Sequence, residues 1–214
     1  MTTTATRGRG RPRTFDEEEV LDALTRLFWE QGYEATSVAD ISEVAGLNKS
    51  SLYNTFGSKQ ELFNRILERY INNRTSMLET LTEAAGGGVD SIHAFLDFVE
   101  AELDTDMGRH GCMAVNTSAE LGGDDPTMTS MGELYRERMA TALHALVQRA
   151  AETGELDPDQ VTHHSHMLMI FVLGLSVTIR SGASREELSG LLAAAHANVE
   201  SWRQDAASES GPLD

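Results

Sequence analysis

The sequence predicts an all-α protein, and three observations carry that reading. Apolar residues recur three and four apart through every long segment, no stretch alternates apolar and polar with a period of two, and helix start and stop signals punctuate the 214 residues. The chain divides into a basic arm at 1–13, a small helical head at 14–74, a larger helical body at 75–208 and a polar tail at 209–214.

Residues 1–13 are rich in Thr, Gly and Arg. Arg7, Arg9, Arg11 and Arg13 stand there without an acid or an apolar cluster, so the arm is expected to be disordered in the free protein. Asp16 to Gln31 reads as the first helix. Acids at its N-terminus suit the positive end of the helix dipole, Val20, Leu21, Leu24, Leu27 and Phe28 share an inner face, and Gly32 stops it. Trp29 and Tyr33 read as core or edge packing. Ser37 to Phe56 then reads as two short helices joined by a tight turn. Ser37 caps the first, Asp40 stands where the dipole favours an acid, Val38, Ile41 and Val44 form the apolar stripe, and Gly46 ends it. Asn48 caps the second, in which Leu52 and Phe56 point one way and Ser50, Tyr53 and Asn54 the other, with Lys49 and Ser51 flanking. Ser58 and Glu61 make a capping box for a long helix carrying Leu62, Phe63, Ile66, Leu67 and Tyr70, prolonged by Met77, Leu78 and Leu81 to a break at Gly86–Gly88.

The second short helix puts hydroxyls, a carboxamide, a phenol and a lysine into solvent at its N-terminal end. That set suits a DNA major groove, where such groups meet base edges while Tyr53 and Lys49 reach phosphates. Lys59, in the first turn of the following helix, can hold a phosphate together with that helix N-terminus. The run from Phe15 to Tyr70 resembles the DNA-binding domain of TetR-family transcriptional regulators: Gly32-Tyr33, Thr36-Ser37-Val38, Ile41, Ala45-Gly46, Lys49, Leu52-Tyr53, Phe56, Ser58-Lys59 and Glu61-Leu62-Phe63 stand at the expected spacing. The resemblance covers about a quarter of the chain. It implies that 14–74 is a three-helix, helix-turn-helix DNA-binding domain, with Thr36, Ser37, Asn48, Lys49, Ser50, Ser51, Tyr53, Asn54 and Lys59 at the DNA. It also implies a ligand-binding and dimerisation body at 75–208. Arg9-Gly10-Arg11-Pro12 resembles the core of an AT-hook, which would lay Arg9 and Arg11 in a narrow minor groove; a solubilising tail is the alternative.

A net charge of -17 looks wrong for a protein that binds double-stranded DNA until it is divided along the chain. The only lysines, Lys49 and Lys59, fall in the head, whereas residues 71–214 hold 23 acids against 8 bases, so the acidity belongs to the body and should face away from DNA. One cysteine permits no intrachain disulfide, and no segment has the flanks of a signal peptide. The longest apolar run, Met167 to Leu173, is far shorter than the roughly 20 residues of a membrane span. A soluble cytoplasmic protein without a membrane partner is expected.

In the body, Ile92, Phe95, Leu96, Val99 and Leu103 mark one helix, Asp106–Gly111 interrupts it, and Cys112–Leu121 reads as a short helix. Asp125-Pro126 opens a long helix carrying Met128, Met131, Leu134, Tyr135, Met139, Leu143, Leu146 and Val147. Asp157-Pro158 opens another, to Ser181 or Gly182. Its Met167–Leu173 run is apolar all round and must be covered on every side, with Gly174 and Ser176 small enough for another helix to approach. Ser184 and Glu187 cap the last helix, which runs through Trp202. The family resemblance implies that the last two helices pair with those of a second subunit as a four-helix bundle; burial within a monomer is the alternative.

An effector pocket is expected among Phe95, Phe98, Cys112, Met113, Asn116, Met128, Met131, Tyr135 and Phe171, an apolar, methionine-rich set that could also simply fill a core. No cofactor or metal is expected. His163, His164 and His166 lack the i, i+4 pair with a glutamate that a metal site would show, and Gly86–Gly88 lacks the lysine and strand context of a phosphate loop, so an enzyme is not expected. Gly111 to Asn116 resembles a Gly-Cys-x-x-x-Asn segment in one branch of the TetR family, some of whose members respond to electrophiles or oxidants. Cys112 therefore has two readings, a reactive thiol at a helix N-terminus or a buried, inert side chain. The sequence as a whole points to a dimeric, ligand-responsive repressor on an inverted-repeat operator, with thiol sensing through Cys112 or activation as alternatives.

Overall fold

The computed structural model describes residues 16–122 and 126–203, the side chain of Met128 excepted. The arm with Arg9 and Arg11, the Asp125 cap and the tail from 204 onward lie outside the described residues. Among the described residues there is no strand, and the helices run in the order α1 (Glu17–Gln31), α2 (Val38–Ala45), α3 (Lys49–Phe56), α4 (Lys59–Ala84), α5 (Val89–Leu103), α6 (Met113–Leu121), α7 (Pro126–Glu152), α8 (Val161–Arg180) and α9 (Arg185–Glu200). Short 3-10 turns at Gly108–His110 and Pro158–Gln160 precede α6 and α8.

Local chemistry sets these boundaries. Ser37, Ser58 and Ser184 each form a reciprocal capping box with Asp40, Glu61 and Glu187, and the Asn48 side chain accepts from the Ser51 N–H. Gly46 ends α2 at φ 63°, a left-handed backbone that an L side chain rarely adopts, and this lets the chain turn directly into α3. On α2 the inner positions are Ile41 and Ala45; Val44 is 42% exposed, so the expected stripe is corrected by one helical step. The second Asp-Pro signal opens a 3-10 turn rather than the helix itself: the Asp157 carboxylate accepts from the Asp159 N–H, and α-helical geometry begins at Val161.

The head packs Leu21, Leu24 and Phe28 of α1 against Ile41, Leu52, Phe56 and the start of α4 at Leu62, Phe63, Ile66 and Leu67. Burial of each such side chain contributes about 1.5–3 kcal/mol, enough to hold short helices that would not persist alone. The same core continues into the body, where α7 lies along α4, α6 and α8, and α9 lies on α5. A second, smaller cluster of Leu103, Leu175, Leu188 and Leu192 closes the far end of α5, α8 and α9.

Helix α8 is not enclosed on every side. Leu168 and Leu175 point inward, while Met167, Ile170 and Val177 are 40%, 65% and 57% exposed. With Gly174, beside which there is open space, they form one stripe at spacings of three, four and three. Ser176 is corrected: it is buried, and its carbonyl lies against Gly111 of the same chain, so its small size admits an intrachain neighbour. By length and composition alone Pro158–Arg180 could cross a membrane, but its buried side is packed on α7 and α9.

Candidate nucleic-acid interface and ligand cavity

Within α3, Leu52 and Phe56 anchor the helix in the head and leave Lys49, Ser50, Asn54 and Tyr53, the last 48% exposed, on the outer face. Ser51 is half-buried beside them, and Ser37 and Asn48 are exposed caps whose oxygens hold the N-terminal N–H groups of α2 and α3. No acid lies on α3. Lys59 enters from the first turn of α4, its ammonium 4.2 Å over the Tyr33 ring, a cation–π contact that aims it beside the α4 N-terminus. Of the nine expected positions in the head, Thr36 is the one that does not reach the surface. Thr36 is fully buried, and its hydroxyl donates to the Gly32 carbonyl at 2.7 Å, closing the turn between α1 and α2 without reaching solvent. Thr55, which the sequence reading did not single out, is exposed on the flank of α3.

Four of the expected pocket residues, Phe95, Phe98, Cys112 and Tyr135, line one cavity. The others lie elsewhere. Met113 is 2% exposed and, with Asn116, turns to a cleft between head and body; the Asn116 carboxamide donates to the His110 carbonyl at 2.6 Å. Met131 and Phe171 pack against the core, and the Met128 side chain is outside the described ones. The cavity is completed by Arg74, Leu78 and Leu81 of α4, Glu102 of α5, and Val172, Leu175 and Ile179 of α8.

Its polar edge is one connected network. Arg74 pairs with Glu102 and donates from Nε to the Tyr70 hydroxyl at 3.1 Å; that hydroxyl donates to Cys112 Sγ at 3.5 Å and accepts from the Met113 N–H at 3.4 Å. Burial raises the pKa of both Tyr70 and Tyr135, so both phenols stay protonated as donors. Cys112 is buried and faces the cavity, and neighbouring Arg109 is taken up by Asp106.

Cavity and head share a segment. Gly108, Gly111 and Cys112 wall the cavity, and the Gly111 carbonyl accepts from Trp29 Nε1 at 2.8 Å. Farther along α6, the Glu120 carboxylate accepts from the Tyr33 N–H at 3.1 Å and the Glu34 N–H at 2.8 Å, in the turn that leads to α2. Among the described residues no group of three or more side chains is placed to hold a metal ion.

The profile of bacterial regulatory proteins of the tetR family matches residues 20–66. The chain is 33% identical over 187 residues to the HTH-type transcriptional repressor ComR of Escherichia coli (strain K12), covering 85% of this chain and 88% of that one. It is 27% identical to the HTH-type transcriptional repressor BdcR of the same organism, over 87% and 90% of the two chains. Among solved structures, a cysteine mutant of the TetR family transcriptional regulator CifR, complexed with 26-bp double-strand operator DNA, superposes with a TM-score of 0.74 at 25% identity, over 90% of this chain and all of that one. These relatives are transcriptional regulators and not enzymes.

Proposed function

Because the chain belongs to the TetR family of transcriptional regulators, we propose that it is a cytoplasmic repressor that binds an inverted-repeat operator as a homodimer and lets go when a small molecule fills the cavity. The observation that carries this is the acid-free outer face of α3, capped by Asn48 and flanked by Lys49 and Lys59. Ser50, Ser51 and Asn54 read the groove, Lys49, Tyr53 and Lys59 with Ser37 and Asn48 hold the backbone, and Arg9 and Arg11 of the arm follow the adjacent minor groove. Head and body divide near residue 74. The exposed stripe of Met167, Ile170, Gly174 and Val177, with Leu191 of α9, pairs with its copy in a second subunit. Two heads related by a two-fold axis then meet half-sites about 34–36 Å apart, or a related spacing.

The cavity takes a compact, largely apolar effector that meets hydrogen-bonding groups along one edge. Its arrival moves the Gly108–Cys112 wall, and with it the Gly111 and Glu120 contacts that hold α1 and the turn before α2. Coupling of about 1–3 kcal/mol suffices for regulation. Genome-wide binding of the tagged protein, compared with an Asn54→Ala variant, tests the reading; identical profiles with and without the α3 change would reject it.

Cys112 gives a second reading, favoured by its place in the cavity wall beside Tyr70. An electrophile entering the cavity would alkylate the thiol and release the operator. A Cys112→Ser protein that binds DNA normally but ignores the reagent supports it, and undiminished release of that variant leaves the reversible effector alone.

A further inference from the structure

The cavity does not close at its polar edge. Arg74, Phe98 and Glu102 line it and also line an open groove between α1, α4 and α5, whose far side carries Asp22, Arg26 and Trp29 of the head. The Arg74–Glu102 pair therefore stands at a mouth, with a mostly apolar chamber behind it and helix α1 in front. Its hydrogen bonds are uneven. Glu102 sets both carboxylate oxygens on Nη1 of Arg74, and Nε donates to the Tyr70 hydroxyl at 3.1 Å. The two hydrogens of Nη2 meet no acceptor among the described residues.

The other polar groups of the wall are already committed: the Gly111 carbonyl accepts from Trp29 Nε1 at 2.8 Å, and the Ser176 hydroxyl donates to the Val172 carbonyl at 2.8 Å. What the mouth offers a guest is a donor. A guest must bring an acceptor, and a planar carboxylate matches the Nη1–Nη2 edge of a guanidinium with two parallel bonds, which Glu102, held on Nη1 alone, does not make. Charge agrees with this. In a chain of net charge -17 the groove gathers Arg26, Arg69 and Arg74 against Asp22 and Glu102, and Arg26 is exposed with no ion-pair partner among the described residues. The chamber behind Arg74 has a free volume of about 80 Å³. At roughly 10–15 Å³ per water-sized occupant, that is room for about six ring atoms.

We propose that the effector is a small aromatic monocarboxylate, its ring among Leu78, Phe95, Val99 and Leu175 and its carboxylate on the Nη1–Nη2 edge of Arg74 in place of Glu102. This rests on the cavity reading above and names the ligand class. The Glu102 side chain is 28% exposed, so it turns to solvent as it yields. The exchange reaches the head by two routes. Glu102 stands in the last turn of α5 against the cavity wall, where a Cβ on Gly108 would overlap the Glu102 carbonyl oxygen, so a shift of that turn displaces the wall. Arg74 also holds the Tyr70 hydroxyl, which accepts from the Met113 N–H at the start of α6, and the Tyr70 ring meets Trp29 of α1 edge-on with centroids 5.0 Å apart.

Calorimetric titration of the full chain, without DNA, compares benzoate with its neutral isostere benzamide. Benzoate should bind about tenfold more tightly, the difference between a charge-assisted and a neutral hydrogen bond. The Glu102→Gln protein keeps an acceptor for Arg74 but loses the competing charge; it should bind benzoate about threefold or more tighter than wild type and benzamide unchanged. A purely structural ion pair gives the opposite sign, since its loss loosens the wall and weakens both compounds. Equal affinity for the two compounds, no benzoate binding at millimolar concentration, or weaker benzoate binding by Glu102→Gln would overturn the proposal. Operator release by a neutral compound alone would refute the carboxylate and leave the cavity reading standing.

Discussion

Replacing Ile170 with Asp should take the dimer apart and leave each subunit folded. Within one chain Ile170 is 65% exposed, on the α8 stripe with Met167, Gly174 and Val177, so the change removes little intrachain packing. In a two-fold dimer it is made twice, since the same stripe lies on both sides of the contact. An unpaired charge in an apolar contact costs about 2 kcal/mol even after some water enters, hence about 4 kcal/mol per dimer. At about 1.4 kcal/mol per tenfold, the dissociation constant should rise about a thousandfold. Sedimentation equilibrium from nanomolar to micromolar protein measures this, with circular dichroism to confirm that the dissociated chain keeps its helices. Leu175→Asp is the contrast: Leu175 is 4% exposed among Leu103, Leu188 and Leu192, and its loss should unfold the α8–α9 end. An unchanged dissociation constant for Ile170→Asp would refute the placement of the interface on this stripe.

Lys59→Ala should weaken binding to all sequences nearly alike and reduce the log–log salt slope by about 1, measured by titration at several salt concentrations; a changed base preference with the slope intact would count against a phosphate role. Asn54→Ala should instead alter base preference at defined operator positions, at a cost of about 1–3 kcal/mol per lost contact, read by competition between single-base operator variants. Hydrogen bonds from Ser37 lower the Asp40 pKa, and those from Ser58 and Ser184 lower the Glu61 and Glu187 values. Folded values below unfolded ones mean that these caps stabilise above the ordinary 3.8 and 4.5 and lose that contribution as pH falls below them. Acid titration followed by amide exchange should therefore show the first turns of α2, α4 and α9 opening early, and a Glu61→Gln protein should show a flatter response at α4.

The head was legible in the sequence because its signals are local. Caps at Ser37, Asn48 and Ser58 lie within three residues of the N–H groups they satisfy, and the αL turn at Gly46 needs no distant partner. Thr36 was misplaced because its neighbours in the chain are surface residues; only the folded turn shows its hydroxyl closing on Gly32. The cavity was half legible. Its aromatic residues follow helical spacing, but which side of α6 faces inward depends on how α4 and α8 clamp it, and Met113 and Asn116 fell on the other side. Arg74 did leave a trace: with Tyr70, Leu78 and Leu81 it continues one α4 stripe, and a charge on an apolar stripe signals a buried partner, here Glu102. Side chains from distant segments, such as Glu120 on the Tyr33 turn or His93 on His196, leave no pattern in one chain segment to read.

Selection of oligonucleotides from a random pool by the purified full-length protein, with the stoichiometry of the winning complex measured by sedimentation, tests the operator-binding dimer most directly. Two half-sites related by a two-fold axis and bound by two chains, with the preferred bases changed in the Asn54→Ala protein and the two-chain complex lost in the Ile170→Asp protein, are the predicted result. Enrichment of no sequence, or of a single asymmetric site held by one chain, would contradict it.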